Sequence, residues 1–145
     1  MFSEMIEEIC KGYRCDLDGL HGLAHWKRVE ENALKIAEMS NISSPVLSLF
    51  AYIHDAKRFD DGIDPDHGKR AAQYVFELVD NYFTLTKKEL SQLVYACEWH
   101  THQIHHEDPI IGICWDADRL DLGRVGIEPD PQFLNLNESK EMLRT

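Results

Sequence analysis

Apolar residues recur at intervals of three and four along most of the chain, the spacing that places them on one face of an α-helix. This period predicts helices over residues 2–13, 23–39, 45–55, 67–83, 86–100 and 110–123, and a short polar helix over 137–144. The stretch 110–123 is also compatible with a short strand, but its length and Leu120 and Leu122 favour a helix. No stretch shows convincing alternation of apolar and polar residues, so the pattern predicts an all-α fold.

Start signals support three of these helices. Ser44 precedes a proline, a combination typical of a helix cap followed by proline in the first turn. Thr86 with Glu89 forms a capping box, and Asp66 is a candidate cap for the helix that follows it. The helix after Ser44 contains the almost wholly apolar run VLSLFAYI and ends in the pair HD, so we expect it to be central and buried on most sides.

Composition narrows the class of protein. A chain of 145 residues with 43% hydrophobic and 28% charged residues is typical of one globular domain. Its 15 basic and 26 acidic residues give a net charge of -11, which makes nucleic acid a poor partner, whereas clustered carboxylates suit divalent cations. The first ten residues lack the pattern of an export signal, no apolar run reaches the roughly 20 residues of a membrane span, and the four cysteines lack metal-binding spacing. We therefore expect a cytoplasmic protein with reduced thiols, without membrane attachment and of undetermined oligomeric state.

Ionisable residues in apolar surroundings are the candidates for chemistry, because a buried charge needs a partner, a metal ion or access to water. They occur in three places: His21 with His25, the pair His54 and Asp55, and the acids Asp116, Asp118 and Asp121. Each place alone has an ordinary interpretation as a helix cap, a surface histidine or a solvated helix face. Together, two imidazoles and two carboxylates on three apolar helices form a ligand set for a divalent transition ion such as Mn, Fe, Co, Ni or Zn.

The order H, HD, D over about residues 20–128 resembles the HD domain superfamily of metal-dependent phosphohydrolases. The resemblance is carried by the segments HGLAHWKRV, FAYIHDAKRFDD, DHGKRAA and WDADRLDLGRVGI. It implies a compact helical bundle with a metal site between the central helices, and a single domain over 1–145 with a tail at 129–145. By motif, it implies metal ligation by His25, His54, Asp55 and Asp118.

Two further histidines match positions at which some HD enzymes bind a second metal ion. These are His67 and His100; if they do so here, Asp55 would bridge the two ions. The alternative is that His67 caps a helix and His100 lies at the surface. The histidines of the segment HTHQIHH that follow His100 are not expected to be ligands. His21 lies one helical turn before His25, which suits a supporting hydrogen bond or proton transfer.

The resemblance also implies a phosphate-contacting cation after the HD pair. The sequence HDAKR leaves this role open between Lys57 and Arg58, and Arg119 and Arg124 are further candidates. All four can equally be solvated or paired with this chain's many acids. The hypothesis is a metal-dependent hydrolase that cleaves a phosphate ester or anhydride of a nucleotide or other small phosphorylated metabolite. The alternatives are a di-iron oxygenase with the same fold and a non-catalytic binding module stabilised by metal.

Overall fold

The computed structural model describes residues 2–144 and confirms the all-α class. Within that range there is no β-strand, only an isolated bridge between Val79 and Phe83. The described helices are α1 (Ser3–Gly12), α2 (Leu23–Met39), α3 (Pro45–Ile53), α4 (His67–Leu78), α5 (Lys87–Trp99), α6 (Pro109–Arg119) and α7 (Asn137–Glu141). Short 3-10 helices cover Leu122–Val125, Pro131–Phe133 and Met142–Arg144. None of these helices is both long enough and apolar enough to cross a membrane.

Helix α3 is the centre of the bundle, as its apolar run predicts. Every residue from Leu49 to Ile53 is buried, and the helix packs against α2, α5 and α6. The side chain of Ser44 accepts a hydrogen bond from the Val46 amide, which confirms the predicted cap. Because α3 is enclosed by other helices, its carboxyl end opens into the interior of the protein.

Several predicted boundaries differ from the structure. Helix α3 ends at Ile53, so His54 and Asp55 lie in the turn that follows it and not in its last turn. Helix α4 ends at Leu78 and not at residue 83, because Val79 is extended, with ψ of 142°, and Asp80 after it is left-handed, with φ of 66°. Helix α6 ends at Arg119, and the rest of its predicted range forms a turn and a 3-10 helix.

The structure confirms the predicted cap of α5 but not that of α4. Thr86 and Glu89 form the predicted capping box, with both reciprocal hydrogen bonds present. Asp66 occupies the position before α4, but its side chain accepts no capping hydrogen bond. Its ψ of 6° departs from the extended conformation that turns a capping side chain toward the helix amides, so this prediction was wrong.

The carboxylate of Asp116 ties the C-terminal segment to the bundle. Asp116 lies on α6 and is fully buried, and it accepts hydrogen bonds from the Asn135 amide at 2.8 Å, the Asn135 side chain at 2.9 Å and the Leu136 amide at 2.9 Å. Gly112, one turn earlier, lets this segment approach closely, since a Cβ there would lie 3.0 Å from both Asn135 and Leu136. The tail is therefore packed against the helix that also carries Asp118.

We expect Asp116→Ala to lower the free energy of unfolding by about 2–3 kcal/mol, because several hydrogen-bond donors would lose a charged acceptor. Urea denaturation with a chelator present measures this without a contribution from metal binding. The matched control is Asp130→Ala, since exposed Asp130 also accepts hydrogen bonds from a neighbouring amide and side chain. Equal effects of the two changes would contradict the anchoring role of Asp116.

Candidate metal centre

The structure brings the six predicted metal ligands together from four helices and the turn after α3. His25 comes from α2, His54 and Asp55 from that turn, His67 from the start of α4, His100 from the end of α5 and Asp118 from α6. The Asp55 side chain lies in the middle of the cluster and is 2% exposed.

One oxygen of Asp55 faces a first group of ligands. Its Oδ2 lies 3.4 Å from His25 Nε2 and 3.3 Å from His54 Nε2, and those two nitrogens are 3.2 Å apart. Asp118 closes the group, with Oδ1 at 3.2 Å from His25 Nε2 and 3.4 Å from His54 Nε2. Two nitrogens and two oxygens thus surround one point.

The other oxygen of Asp55 faces a second group. Its Oδ1 lies 3.2 Å from His67 Nε2 and 3.7 Å from His100 Nε2, and these nitrogens are 2.9 Å apart. Both histidines are buried, so His100 is not the surface residue that the alternative interpretation assumed. Asp55 therefore lies between two ligand groups and presents one oxygen to each.

Hydrogen bonds outside the cluster fix the orientation of its histidines. Nδ1 of His54 lies 3.0 Å from the carbonyl oxygens of Phe50 and Ala51. Nδ1 of His67 lies 2.6 Å from the Asp64 carbonyl oxygen, and Nδ1 of His100 lies 2.6 Å from that of Cys97.

Carbonyl oxygens only accept hydrogen bonds, so each of these Nδ1 atoms carries a proton. Nε2 is then the nitrogen that can lose its proton and offer a lone pair to the centre of the cluster. This tautomer is typical of metal-binding histidines.

Asp121 orients the ring of His25 in the same way, through Nδ1. No role was assigned to Asp121 from the sequence. Its Oδ2 lies 2.7 Å from His25 Nδ1, while its Oδ1 accepts a 2.7 Å hydrogen bond from Arg28. The sequence does contain a pattern that points to this role, because Asp121 follows Asp118 by three residues and so faces the same side. Asp116, the third acid of this stretch, holds the tail and takes no part in the cluster.

The donor set fits a divalent transition ion. Nε2 atoms that face each other at 3.2 Å and 2.9 Å cannot both offer lone pairs without a proton or a cation between them. The buried Oδ1 of Asp118 has no hydrogen-bond partner in the described part of the chain, which is unusual for a buried carboxylate oxygen. A mixed set of imidazole and carboxylate ligands suits Mn, Fe, Co, Ni or Zn.

The protonation equilibria of the cluster show that it needs positive charge. Burial lowers the pKa of His25, but the neighbouring carboxylates of Asp118, Asp121 and Asp55 outweigh burial and raise it to about 10. Burial would raise the pKa of the Asp55 carboxyl, but the surrounding histidines hold it well below its usual value. The ionised carboxylates are thus stabilised by protons on the imidazoles, which a cation would displace.

His21 lies beside this cluster. Its Nε2 donates a hydrogen bond to the Asp61 carbonyl oxygen at 3.0 Å. This places an unprotonated Nδ1 3.7 Å from Asp55 Oδ2, where it is buried and has no hydrogen-bond partner among residues 2–144. Burial lowers the pKa of this imidazole, although Asp55 opposes the effect.

Of the two cations that follow the HD pair, the structure brings Arg58 to the cluster and not Lys57. Arg58 Nε donates to Asp55 Oδ1 at 3.2 Å, and its Nη1 donates to the Asp60 and Gly62 carbonyls. The Lys57 ammonium instead lies 3.9 Å from the centre of the Tyr74 ring. Attraction to the ring face explains why Lys57 turns away.

A cavity of about 380 Å³ opens onto the cluster, within the range of small-molecule sites. It is lined by Asp55, His67, His100 and Asp118 on one side, with Arg58 and Arg124 at the edge of this charged region. Arg124 Nη2 lies 3.9 Å from Asp118 Oδ1, and its other nitrogens donate to the Leu20 and Asp121 carbonyls. Arg119 also lines the cavity, but it donates to three carbonyl oxygens of nearby loops.

The remaining histidines do not join the cluster. His102 and His105 are exposed, and their ring nitrogens lie near the carbonyl oxygens of Pro65 and Gln132. Nδ1 of His106 accepts a hydrogen bond from the Asp108 amide.

Comparison of the structure with solved structures identifies the fold. The chain is similar to the crystal structure of a predicted HD superfamily hydrolase from an uncultured Thermotogales bacterium, with a TM-score of 0.77. The match covers 98% of this chain and 82% of the other at 23% sequence identity. The protein therefore has the HD-type fold that its motifs predict. No family model matches the sequence, and no curated protein matches it either.

The close approach of α4 and α5 holds the second ligand group together. A Cβ at Gly68 would lie 2.7 Å from the Cys97 carbonyl oxygen, 2.8 Å from that of Glu98 and 3.3 Å from the His100 ring. We expect Gly68→Ala to separate His67 from His100 and to weaken metal binding by the second group at least about tenfold. Titration calorimetry with Mn²⁺ measures this, and affinity at the first group should change little. Gly12→Ala is the control, because a Cβ there meets nothing within 4 Å; equal loss in both variants would contradict the prediction.

Asp121→Asn tests the orientation of His25. An amide NH₂ can donate to His25 Nδ1, which would move the imidazole proton to Nε2 and point it into the cluster. We expect metal affinity of the first group to fall by roughly 10–100-fold, measured by competition with a chelating dye. Asp66→Asn is the control, since exposed Asp66 makes no side-chain capping bond; unchanged affinity in Asp121→Asn would argue against this role.

Proposed function

We propose that the protein is a single-domain, metal-dependent phosphohydrolase that cleaves a phosphate ester or anhydride of a nucleotide or other small phosphorylated metabolite. The observation that carries the proposal is the position of Asp55 between two groups of imidazole ligands at the end of a cavity. A structural ion pair gives no reason for two pairs of histidine Nε2 atoms to converge on the oxygens of one carboxylate, whereas the ligands of a metal centre do converge in this way. The cavity's size supports a small substrate.

The proposed ligands follow from the two groups. His25, His54, Asp55 and Asp118 would hold one divalent ion, and His67 and His100 would hold a second, with Asp55 shared between them. Such ions lower the pKa of bound water from near 15.7 toward about 7 and stabilise charge on phosphoryl oxygens. The metal's identity is open among the ions that this ligand set suits.

The chain's own cations would contact the phosphate. Arg58 uses Nε and Nη1 for Asp55 and for backbone carbonyls, and Arg124 uses its Nε and Nη1 for carbonyl oxygens. Each therefore has Nη2 to donate to a phosphoryl oxygen at the edge of the cluster, where charge builds up during phosphoryl transfer. His21 has an unprotonated Nδ1 next to Asp55, which suits it to hold a proton or a water molecule there.

A di-iron oxygenase is the second candidate, because two ligand groups sharing Asp55 also suit a pair of iron ions. Iron in the purified protein together with oxygen consumption would favour it. A binding module stabilised by metal would show a metal-dependent melting temperature and no turnover. The arginines beside the cluster favour the phosphohydrolase, because an oxygenase has no general need for them.

The metal content of protein purified without chelator or affinity tag tests the proposal. We expect near two equivalents in the wild type, near one in His100→Ala and a large loss in Asp55→Ala, because Asp55 serves both groups. Release of phosphate from a panel of phosphate esters and anhydrides should fall by at least about 100-fold in Asp55→Ala.

His102→Ala is the matched control for His100→Ala, since His102 is exposed and lies outside the cluster. It should keep both metal and activity. Wild-type protein that binds no Mn²⁺, Ni²⁺ or Zn²⁺ would contradict the whole proposal. Full metal occupancy without phosphate release from any member of the panel would contradict the catalytic part alone.

A further inference from the structure

Part of the lining of this cavity is apolar. We call it the apolar wall, and it consists of Ile104, Leu122, Pro129, Phe133 and Leu134. Ile104 is 47% exposed and Phe133 is 43% exposed, although both are large apolar residues. Exposed apolar side chains are ordinary when scattered singly, but two that border the same cavity form a surface suited to a ligand.

The apolar wall is held in place by hydrogen bonds from the helix that carries Asp118. The guanidinium of Arg119 donates to the carbonyl oxygens of Ile104 and Phe133, and also to that of Gln103 at 2.6 Å. One cation thus fixes the backbone of both exposed apolar residues. Its two terminal nitrogens are used in these bonds, so Arg119 is better suited to position the wall than to bind phosphate.

The tail contributes a second set of restraints. The side chain of Asn135 donates to the Ile104 carbonyl oxygen at 3.3 Å and to Asp116 Oδ1 at 2.9 Å. Phe133 is therefore two residues from Asn135, which is bound to the buried carboxylate of Asp116. Leu134, between them, is itself buried. An exposed ring on a segment fixed in this way is preorganised for contact with a ligand, which limits the entropy lost on binding.

The lining of the cavity consequently combines two chemistries. Ionised carboxylates, imidazoles and the side chains of Arg58 and Arg124 form its charged part, which we call the charged end, and the apolar wall forms another part. A phosphate that reaches the charged end would place whatever it carries against the wall. A small polyol or a bare inorganic phosphate would leave the wall in contact with water, whereas a flat ring would cover it.

We propose that the apolar wall, with Phe133 and Ile104 as its main contacts, binds a flat apolar or aromatic group attached to the phosphate, and that Arg119 is its positioning residue. This inference rests on the proposed function, because it assumes that the phosphate lies at the charged end. It deepens that function by assigning the preferred class of substrate: phosphate compounds that carry a ring. It also gives the C-terminal tail a role in specificity.

Binding of two phosphonates to the Mn²⁺-loaded protein tests the proposal. Phenylphosphonate and methylphosphonate share the charged head and differ in the ring, and neither is hydrolysed. We expect phenylphosphonate to bind the wild type about tenfold more tightly, from burial of one ring face. In Phe133→Ala this ratio should fall below about threefold, while the affinity for methylphosphonate stays unchanged.

Phe76→Ala is the matched control, because Phe76 is a 60% exposed phenylalanine on α4 that does not line this cavity. It should keep the wild-type ratio. Arg119→Lys should lower the ratio while metal content and methylphosphonate affinity remain, since a lysine cannot hold three carbonyls in the same geometry. A retained ratio in Arg119→Lys would overturn its positioning role.

Equal affinity of the wild type for the two probes, binding of neither probe, or an equal loss for both in Phe133→Ala would overturn the apolar wall as a ligand site. Because the probes do not turn over, this result is separate from the test of catalysis. Phosphate release without ring preference would leave the proposed function standing and remove the inference. Ring preference without any phosphate release would support the wall and contradict the catalytic proposal.

Discussion

The burial of one carboxylate, that of Asp55, is the constraint on which the rest of the structure depends. An ionised carboxylate in the interior is strongly destabilising unless positive charge or several hydrogen bonds surround it. Here the surroundings include the Nε2 atoms of four imidazoles and the guanidinium of Arg58, each within 3.7 Å of one of its oxygens. These groups come from several different helices, so the charge can be balanced only when the bundle is assembled around it. An ion that binds there only in the folded protein raises the free energy of unfolding of the bundle.

The position of Asp55 in the chain follows from the way α3 ends. The helix is buried along its length, and its last turn would normally leave carbonyl oxygens without partners. His54 donates from Nδ1 to the carbonyl oxygens of Phe50 and Ala51, the first of which also accepts a hydrogen bond from the His54 amide, and so turns its Nε2 toward the cluster. The same interaction ends the helix and orients a candidate ligand. It also allows Asp55, the next residue, to point between the two ligand groups.

How much of this could be predicted from the sequence differs between the fold and the site. The helices and the central position of α3 followed from apolar spacing, because a helix without a polar face has to be buried. Helix ends were less predictable. The chain leaves the helical conformation at Val79, and Asp80 then adopts a left-handed conformation, which is rare for a residue other than glycine. The spacing of apolar residues continues past it, so the sequence pattern alone places the end of α4 too late.

In the site, the six candidate ligands could be named from motif order, but the interactions that orient them could not. The hydrogen bond between Asp121 and His25 joins residues that are 96 positions apart. Nothing in the local sequence fixes that distance; it depends on how α2 and α6 cross. Which of Lys57 and Arg58 lies beside Asp55 depends on the aromatic ring of Tyr74, which lies on α4 and attracts the lysine. These are tertiary contacts, and they arise only once the helices are packed.

The end of α6 shows how a short stretch can serve several purposes through the direction of its side chains. Asp116 points to the tail, Asp118 to the histidines around Asp55 and Arg119 to the loops that carry the apolar wall. Successive residues on a helix differ in direction by about 100°, so neighbours in the sequence reach different parts of the protein. The position of the tail is thereby linked to that of Asp118 through a rigid helical turn. The geometry of the charged end of the cavity and that of its apolar end are consequently set by the same element, which suits a site that has to align both ends of one ligand.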